Sequence, residues 1–322
     1  MCNTLDIVIP CYNEAKNLFP LIEEINKQIK NYFLSYNLIL VDDGSKDNTT
    51  EIVRKALLEF PNISFTYLKL TRNFGKEIAV KCGIDQSSAE CCAIMDGDLQ
   101  HPPAYLREAS IKMKETGASI VYISPQKRLT YAHQKVGAYG YKKLINAFSK
   151  DRVYLTDFTL LDKKAVNLIK QFTESDFYTR GILSVIGLKS AEIHYLPQER
   201  KHGKTNFSFK KLVNLAIDGV ISVSTKPLRI AIYIGLAISV LSMIFGLYLV
   251  FEKLFRGQPI PGFATMGFGM FFLGGIQILF LGIIGEYVGK TFIQTKHRPI
   301  YTIDMAMTSK NHAIDEEDHN KC

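Results

Sequence analysis

The chain has 322 residues, of which 47% are hydrophobic and 22% are charged, and its formal net charge is +8. This length allows one large globular domain and a short appendage. The composition is too apolar for an ordinary soluble enzyme and too charged for a transporter with many membrane spans. A positive charge suits nucleic acid, an anionic membrane surface or a phosphorylated substrate, and its placement favours the membrane. The basic residues crowd the approach to the first long apolar stretch: Lys201, Lys204, Lys210, Lys211, Lys226 and Arg229.

Cysteine spacing and the N-terminal residues both indicate the cytosol. The six cysteines include no C-x-x-C pair, and Cys91 and Cys92 fall in a predicted buried strand, where cysteine acts as a small apolar residue. We therefore expect free thiols in a reducing compartment, with neither a disulfide nor a zinc site. Leu5–Pro10 already has the pattern of a core strand and no signal peptide is evident, so we expect the chain to start in the cytosol.

Residues 5–125 alternate short apolar runs with amphipathic stretches, which is the pattern of βαβ units around a mostly parallel sheet. The predicted fold class is therefore α/β. Ligands of such sheets bind at the carboxyl ends of the strands, so the turns there are the candidate site. The predicted strands are Leu5–Pro10, Leu38–Val41, Ser64–Leu70, Cys91–Met95 and Ser119–Ile123, and the predicted helices are Lys16–Asn31, Asn48–Glu59, Lys76–Gln86 and Ala104–Thr116.

The following residues complete this domain. Residues 134–150 have the pattern of an amphipathic helix that packs on the sheet, covers the site or lies on the membrane. Two more helices are predicted at Asp162–Phe172 and Phe177–Ile186, and a strand at Ala191–Leu196.

Two uncharged apolar stretches follow, Ile230–Phe251 and Phe263–Gly285. At about 1.5 Å per residue each helix reaches roughly 30 Å, the thickness of the hydrocarbon core of a bilayer. The connecting loop is short, and the outer flanks carry more basic residues than the loop, so we expect both flanks in the cytoplasm. The predicted parts are a cytoplasmic globular domain at 1–209, a juxtamembrane amphipathic segment at 210–229, two transmembrane helices within 230–288 (about 230–251 and 263–285) and a cytoplasmic tail at 289–322, disordered from about Thr308.

Acidic turns follow the first two predicted strands. These turns are Pro10–Glu14 and Val41–Ser45. In a parallel sheet they can face one crevice, where carboxylates such as Asp43 can hydrogen-bond a base or a ribose. The second turn alone would be an Asx turn, but together the two turns indicate a nucleotide site.

A third acidic turn, Asp96-Gly97-Asp98-Leu99-Gln100, follows the fourth strand. Carboxylates two residues apart can hold one hard cation, and magnesium or manganese usually lies between such groups and substrate phosphates. A cation there would neutralise a departing nucleotide diphosphate. Arg72–Lys76 begins the third helix, where backbone N–H groups and basic side chains favour anions. A solvated helix start is the alternative, and it suits Lys76 better than Arg72.

Taken together, these motifs resemble the family-2 glycosyltransferases of GT-A fold. Within them the chain is most similar to the polyprenyl-phosphate sugar transferases, with the bactoprenol glucosyltransferases nearest and the dolichyl-phosphate mannose synthases related. The resemblance covers nearly the whole chain, through IPCYNE, VDDGSKDNT, TRNFGKE, DGDLQHPP, TDFTLLDKKAV, the ER…G stretch and LGGIQ…GIIGEYVGKTF…KHRPIY.

The resemblance implies inverting transfer of a sugar from a nucleotide-sugar to a polyprenyl phosphate at the bacterial plasma membrane. UDP-glucose or another UDP-hexose is the implied donor, undecaprenyl phosphate the implied acceptor, and Mg²⁺ or Mn²⁺ the implied cofactor. The implied catalytic domain is residues 1–209. The implied site residues are Asp157, Asp98 and Arg200 for catalysis; Pro10, Tyr12, Glu14, Asp42, Asp43, Arg72, Asp96 and Lys204 for the nucleotide-sugar; and Asp96, Asp98 and Gln100 for the metal.

Chemistry leaves the role of Asp157 open between a base and an organiser of the acceptor site. A lipid monophosphate is already anionic at neutral pH and needs little help from a base. Arg200 suits the phosphate because a guanidinium can bind two oxygens at once. The family has a lysine where this chain has Asn206, and Lys204 is the candidate replacement.

Two rival functions follow from the same residues. A processive polysaccharide synthase shares the catalytic domain but carries a Q-x-x-R-W motif, and this chain has no tryptophan. An inactive scaffold of a lipid-linked sugar flippase would not need the intact carboxylates.

The sequence is compatible with a flippase partner and with association through the membrane helices, and no nucleic-acid partner is expected. The small residues that favour helix association are Gly267, Gly269, Gly274 and Gly275.

Overall fold

The computed structural model describes residues 2–126, 154, 156–174, 177–196, 226–256 and 262–309. The chain divides into two compact units, one formed by Met1–Val213 with Pro299–Cys322 and the other by Asn214–Arg298. The predicted helix at 134–150 and the candidate residues Arg200 and Lys204 lie outside the described residues, as do residues 310–322 of the tail. Disorder was predicted from about Thr308, but Thr308 ends a strand.

Eight strands form one sheet in the first unit: β1 (Thr4–Cys11), β2 (Ser35–Asp42), β3 (Ser64–Leu70), β4 (Cys91–Ile94), β5 (Ile120–Pro125), β6 (Thr159–Asp162), β7 (Ser190–Tyr195) and β8 (Ile303–Thr308). Their order is β7-β5-β6-β4-β1-β2-β3-β8. β1 pairs in parallel with β2 and β4, as do β2 with β3 and β5 with β7. β6 is antiparallel to both of its neighbours, and β8 is antiparallel to β3. The predicted α/β class with a mostly parallel sheet is confirmed.

Helices cover both faces of this sheet. They are α1 (Ala15–Ile29), α2 (Thr49–Glu59), α3 (Lys76–Gln86), α4 (Tyr105–Thr116), α5 (Lys163–Lys170) and α6 (Thr179–Val185). Side chains alternate along a strand, so Ile7 and Ile9 of β1 pack with α1, α2 and α4, whereas Val8 packs with α3, α5 and α6. Burial on both faces explains the continuous apolar runs in the central strands β1, β2 and β4.

Helix α3 packs very closely against β1. A Cβ atom built on Gly83 would lie 2.3 Å from Cγ1 of Val8, so only glycine allows this approach. The helix follows β3, and its first residue, Lys76, therefore lies at the carboxyl-terminal edge of the sheet.

Two strands, β6 and β8, were not predicted. β6 is only four residues long, and Ile303–Thr308 follows the second apolar helix in what we predicted to be a tail. The predicted end of the globular domain at residue 209 is therefore wrong, because residues after that helix belong to the first unit and provide an edge strand of its sheet. Pairing between β3 and β8 connects residues more than 230 positions apart, and no local pattern marks it.

The expectation that every cysteine is free is wrong for one pair. Cys2 and Cys91 form a disulfide, with their Cα atoms 6.0 Å apart. Leu5 of β1 pairs with Cys91 of β4, which brings the N-terminus to the start of β4. Cys11, Cys82 and Cys92 are free and buried, as expected of small apolar residues.

The second unit contains two long helices, α7 (Lys226–Arg256) and α8 (Phe263–Thr295). Windows within them, Ala231–Tyr248 and Phe272–Thr295, are long and apolar enough to cross a membrane, and neither window is buried in the protein. A core helix of a soluble protein would bury its apolar side chains, so these helices are consistent with the predicted membrane hairpin.

Candidate active site

A cleft of about 310 Å³ opens at the carboxyl-terminal edge of the sheet, where the turns after β1, β2 and β4 meet the start of α3. This is the edge at which open α/β sheets bind ligands. Six of the predicted site residues line the cleft: Pro10, Tyr12, Glu14, Asp43, Asp96 and Asp98. The other described residues that line it are Cys11, Asn73, Gly75, Lys76 and Gly97.

The turns after β1 and β2 hold each other in place. The Asn13 backbone N–H donates to Oγ of Ser45 at 2.8 Å, and Oδ1 of Asn13 accepts from the Lys46 N–H at 2.9 Å. Asn13 has a φ of 56°, in the left-handed region that asparagine tolerates better than most residues. The turns after β1 and β2 are therefore a preformed unit.

Asp43 and Gly44 extend this unit to the loop before α3. The Asp43 carboxylate accepts backbone N–H groups of Phe74 at 2.6 Å and of Gly75 at 2.9 Å. Burial raises the pKa of Asp43, and the two N–H groups oppose this rise. Gly44 has a φ of 71°, and an added Cβ would lie 2.6 Å from the carbonyl carbon of Arg72. Glycine is therefore required where the two loops touch.

Two predicted nucleotide ligands do not line the cleft. Asp42 is fully buried and accepts the Ser45 N–H and the Tyr67 hydroxyl, each at 2.7 Å. Its carboxylate therefore shapes the turn from below, because the alternation along β2 directs it into the core. Arg72 is exposed and places its guanidinium 4.4 Å from the centre of the Phe74 ring, beside the cleft.

The turn that carries Asp96 and Asp98 is held by His101. The Asp96 N–H donates to Nδ1 of His101 at 2.9 Å, and the imidazole stacks on Phe158 with ring centres 4.8 Å apart. Burial lowers the pKa of His101, even though neighbouring carboxylates oppose this, so the ring stays a neutral acceptor. Leu99 reverses the chain with a φ of 63°.

Gln100 bonds to Asp98 twice in this turn. Its backbone N–H donates to Oδ1 of Asp98 at 3.2 Å, and its side-chain amide donates to Oδ2. Gln100, predicted as a metal ligand, therefore orients Asp98 and is not among the residues that line the cleft.

The residues present fit a hard divalent cation. Oδ1 of Asp96 is buried, and its partner is the Lys76 ammonium at 2.6 Å. Asp96 and Asp98 both present oxygen atoms to the cleft, which is the donor type that magnesium and manganese prefer. Among the described residues no group of three or more His, Cys, Asp or Glu residues could enclose a metal, so donor phosphates and water would have to supply the other ligands.

A line of alternating charges leads away from Asp96. The Lys76 ammonium lies 2.6 Å from Oδ1 of Asp96 and 2.7 Å from Oδ2 of Asp157, and Nε of Arg180 lies 2.6 Å from Oδ1 of Asp157. Burial alone would raise the pKa of Asp157, but hydrogen bonds and charges from Arg180 and Lys76 hold that pKa well below its ordinary value. Asp157 is therefore ionised at neutral pH. It lies with Arg180 in a small pocket that shares Lys76 with the main cleft.

Sequence reasoning missed the roles of His101, Lys76 and Arg180. His101 stands within the quoted DGDLQHPP stretch, so its closeness to the two aspartates was a usable signal. Arg180 lies 23 positions from Asp157, inside a predicted helix with no motif of its own, and only the packing of α6 brings the two side chains together.

Solved structures confirm the fold. A mannosyltransferase from Pyrobaculum calidifontis, solved with GDP-Man and Mn²⁺, matches with a TM-score of 0.50 at 19% identity over 71% of this chain and 64% of its own. Glucosyl-3-phosphoglycerate synthase from Mycobacterium tuberculosis, solved with phosphoglyceric acid, also matches with a TM-score of 0.50, at 16% identity over 69% of this chain and 80% of its own. At such identities the similarity establishes the fold alone.

Sequence relatives cover almost the entire chain. A putative glycosyltransferase, CsbB of Bacillus subtilis, is 34% identical over 94% of this chain and 92% of its own. The prophage bactoprenol glucosyl transferase homolog of Escherichia coli and the bactoprenol glucosyl transferase of Shigella phage SfV are each 33% identical over 93% of this chain, and over 98% and 97% of their own lengths. The model of glycosyl transferase family 2 matches residues 6–169, and that of the GtrB C-terminal hairpin matches residues 226–291. The chain therefore belongs to glycosyl transferase family 2 and carries a GtrB C-terminal hairpin.

Proposed function

We propose that this enzyme transfers one hexose from a UDP-sugar, by default UDP-glucose, to undecaprenyl phosphate or a similar polyprenyl phosphate, with inversion at the anomeric carbon. The observation that carries the proposal is the joining of the three acidic turns into one cleft beside Lys76. A nucleoside diphosphate with its cation needs both carboxylates for the metal and a polar edge for the nucleoside. The named activity of the relatives supports a lipid phosphate as the acceptor.

In this proposal the nucleoside lies against the first two turns, where Pro10, Tyr12, Glu14 and Asp43 line the cleft. Tyr12 is 41% exposed, which leaves its ring available to a base. The hydroxyl pair of the ribose can donate to carboxylates such as Glu14, which lines the cleft and whose pKa is raised by burial. The diphosphate then lies toward Asp96 and Asp98.

Asp96 and Asp98 would hold magnesium or manganese, which supplies Lewis-acid neutralisation of the leaving diphosphate. An oxygen of the lipid phosphate forms a new bond to the anomeric carbon as the bond between that carbon and the β-phosphate oxygen breaks. The electron pair of the broken bond leaves with UDP. No proton need be removed, because the acceptor phosphate is ionised at neutral pH. Positioning and charge neutralisation then carry the catalysis.

Asp157 acts in this scheme as an organiser and not as a base. It holds two cationic side chains, Lys76 and Arg180, at 2.7 and 2.6 Å, and a carboxylate paired in this way is a weak proton acceptor. We assign the acceptor phosphate to Arg180 and, on sequence grounds, to Arg200 with Lys204, because guanidinium groups bind phosphate oxygens in pairs.

The apolar helices would anchor the enzyme in the bacterial plasma membrane with the cleft-bearing unit in the cytoplasm. The positive-inside count of the flanks supports this orientation. Such anchoring confines the enzyme to the surface that holds its lipid substrate.

The proposal is tested with the full-length protein in lipid nanodiscs that contain undecaprenyl phosphate. Separate reactions receive UDP-glucose, UDP-galactose, UDP-N-acetylglucosamine or GDP-mannose, each with Mg²⁺, Mn²⁺ or a chelator. We expect a lipid extractable into organic solvent whose mass has increased by one hexose, only with metal present. Asp98→Asn should abolish the product, and Asp304→Asn, at an exposed position of β8, serves as the matched control that retains it.

Two results would contradict the proposal. A water-soluble polymer in place of a glycolipid would indicate a processive synthase, and absence of turnover with every donor would indicate a scaffold. Full activity of Asp98→Asn would remove the metal assignment while leaving the reaction class intact.

A further inference from the structure

Lys76 occupies an unusual position at the border between the two pockets. Its ammonium lies 2.6 Å from Asp96 and 2.7 Å from Asp157, so it bridges a proposed metal ligand and the organiser carboxylate. It is the first residue of α3, its side chain is 42% exposed, and it contributes to the walls of both pockets.

The electrostatic setting of this ammonium is strongly acidic. Of the described residues that line the main cleft, Lys76 is the one cationic side chain, against four carboxylates, those of Glu14, Asp43, Asp96 and Asp98. Repulsion from Asp98 and Asp96 adds to burial in raising the pKa of Glu14, so the carboxylates interact with each other. A cleft of this kind needs a cation whether or not a substrate is bound.

The ammonium and a divalent ion would compete for the same atom. Oδ1 of Asp96 is the buried oxygen that contacts Lys76, and a bound Mg²⁺ or Mn²⁺ would lie at about 2.1 Å from such an oxygen. The Lys76 ammonium and a divalent ion at such a short separation would repel each other strongly at a partly buried site. Lysine has a long flexible stem, so its head can withdraw from Asp96 and stay with Asp157. Arg180 keeps Asp157 in place as this happens.

We propose that Lys76 is a built-in counter-ion of Asp96, which the metal-bound donor displaces, and that it then remains on Asp157 as a positioning residue. This inference rests on the proposed function, because it takes Asp96 as a metal ligand. Binding of metal with donor is thereby coupled to release of one of the two contacts that Lys76 makes. Free metal without nucleotide binds weakly, since it must displace the ammonium without help from the phosphates.

The test measures Mn²⁺ binding to the full-length protein in nanodiscs, by the electron paramagnetic resonance signal of free Mn²⁺, with and without UDP. Lys76→Met removes the competitor, and Lys76→Arg keeps its charge. Lys16→Met is the matched control, because Lys16 is exposed two positions from Glu14 and does not line the cleft. Asp96→Asn tests the metal site itself.

We expect Lys76→Met to bind Mn²⁺ without UDP at least about fivefold more tightly than the parent, while transfer becomes slower. Lys76→Arg should bind Mn²⁺ no more tightly than the parent, and Lys16→Met should match the parent. Unchanged or weaker Mn²⁺ binding by Lys76→Met, in protein that still binds UDP, would overturn the inference. Unchanged binding by Asp96→Asn would instead overturn the metal assignment on which the inference rests.

Discussion

Replacement of Gly44 by alanine tests whether contact between the turn after β2 and the loop before α3 holds the cleft together. Gly44 has a φ of 71°, and its added Cβ would lie 2.6 Å from the carbonyl carbon of Arg72 and 2.9 Å from the nitrogen of Asn73. These are backbone atoms, so a side-chain rotation cannot relieve the overlap. The loop must move, and with it the N–H groups that Asp43 holds.

Two costs add in this variant. The left-handed backbone costs a residue with a Cβ atom about 1–2 kcal/mol, and overpacking costs typically about 1–3 kcal/mol. Gly117→Ala is the matched control, since Gly117 has a φ of 63° and nothing lies within 4 Å of its added Cβ. We therefore expect a loss of about 2–5 kcal/mol for Gly44→Ala and about 1–2 kcal/mol for Gly117→Ala.

Thermal unfolding of the two variants in detergent, with UDP binding measured in parallel, separates the cost of the left-handed backbone from the cost of overpacking. For a unit of this size each kcal/mol lowers the Tm by about 2–4 °C, so Gly44→Ala should melt about 2–12 °C below Gly117→Ala. UDP binding should weaken in Gly44→Ala and stay unchanged in Gly117→Ala, because only the first lies at the cleft. Equal Tm values and equal UDP affinities would refute the reasoning from loop contact.

Three further outcomes are expected. Gly83→Ala should lower the free energy of unfolding by about 1–3 kcal/mol, because the added Cβ overlaps Val8. In a double-mutant cycle, Val8→Ala in the same chain should restore part of this loss. Strictly additive effects of the two substitutions would contradict the close packing of α3 on β1. His101→Phe keeps an aromatic ring but removes the acceptor of the Asp96 N–H. We therefore expect the free energy of unfolding to fall by about 1–3 kcal/mol and Mn²⁺ binding to weaken. Unchanged Mn²⁺ affinity would count against a role of His101 in positioning Asp96. The pKa of Asp157 is held low in the folded state, so its charge stabilises the fold above the ordinary aspartate pKa of about 4, and this contribution fades as pH falls toward the lowered pKa. In melts from pH 8 to 3, the difference in stability between the parent and Asp157→Asn should be constant down to about pH 5 and shrink below pH 4. A difference independent of pH would exclude the ion pairs.

Much of the catalytic unit could be predicted from its sequence. Strand β3 and helix α3 have the predicted limits, and the strands after which the acidic turns stand are in the predicted places. These successes rest on local signals, because strand and helix periodicity and the polar residues that end each strand lie within a few positions of each other. The parallel arrangement then requires the turns to share one edge of the sheet.

The direction of individual side chains was less predictable. Asp42 and Asp43 are adjacent, chemically identical and both largely buried, yet only Asp43 lines the cleft, while Asp42 lies beneath the turn. Which of them faces the cleft depends on where β2 ends, and a shift by one residue exchanges their faces. Gln100 likewise turned toward Asp98, because the left-handed Leu99 reverses the chain before it.

By itself the sequence determined the α/β class, the three acidic turns, the two long apolar helices and the family, since each is encoded in residues close together or in whole-chain similarity. Only the tertiary structure decided that Lys76 would join Asp96 to Asp157, that Arg180 would hold Asp157 from the other side, and that residues after the second apolar helix would complete the sheet. Lys76 and Asp157 are 81 positions apart. Their meeting depends on how α3, β6 and α6 pack around one edge of the sheet, which no local pattern of residues specifies.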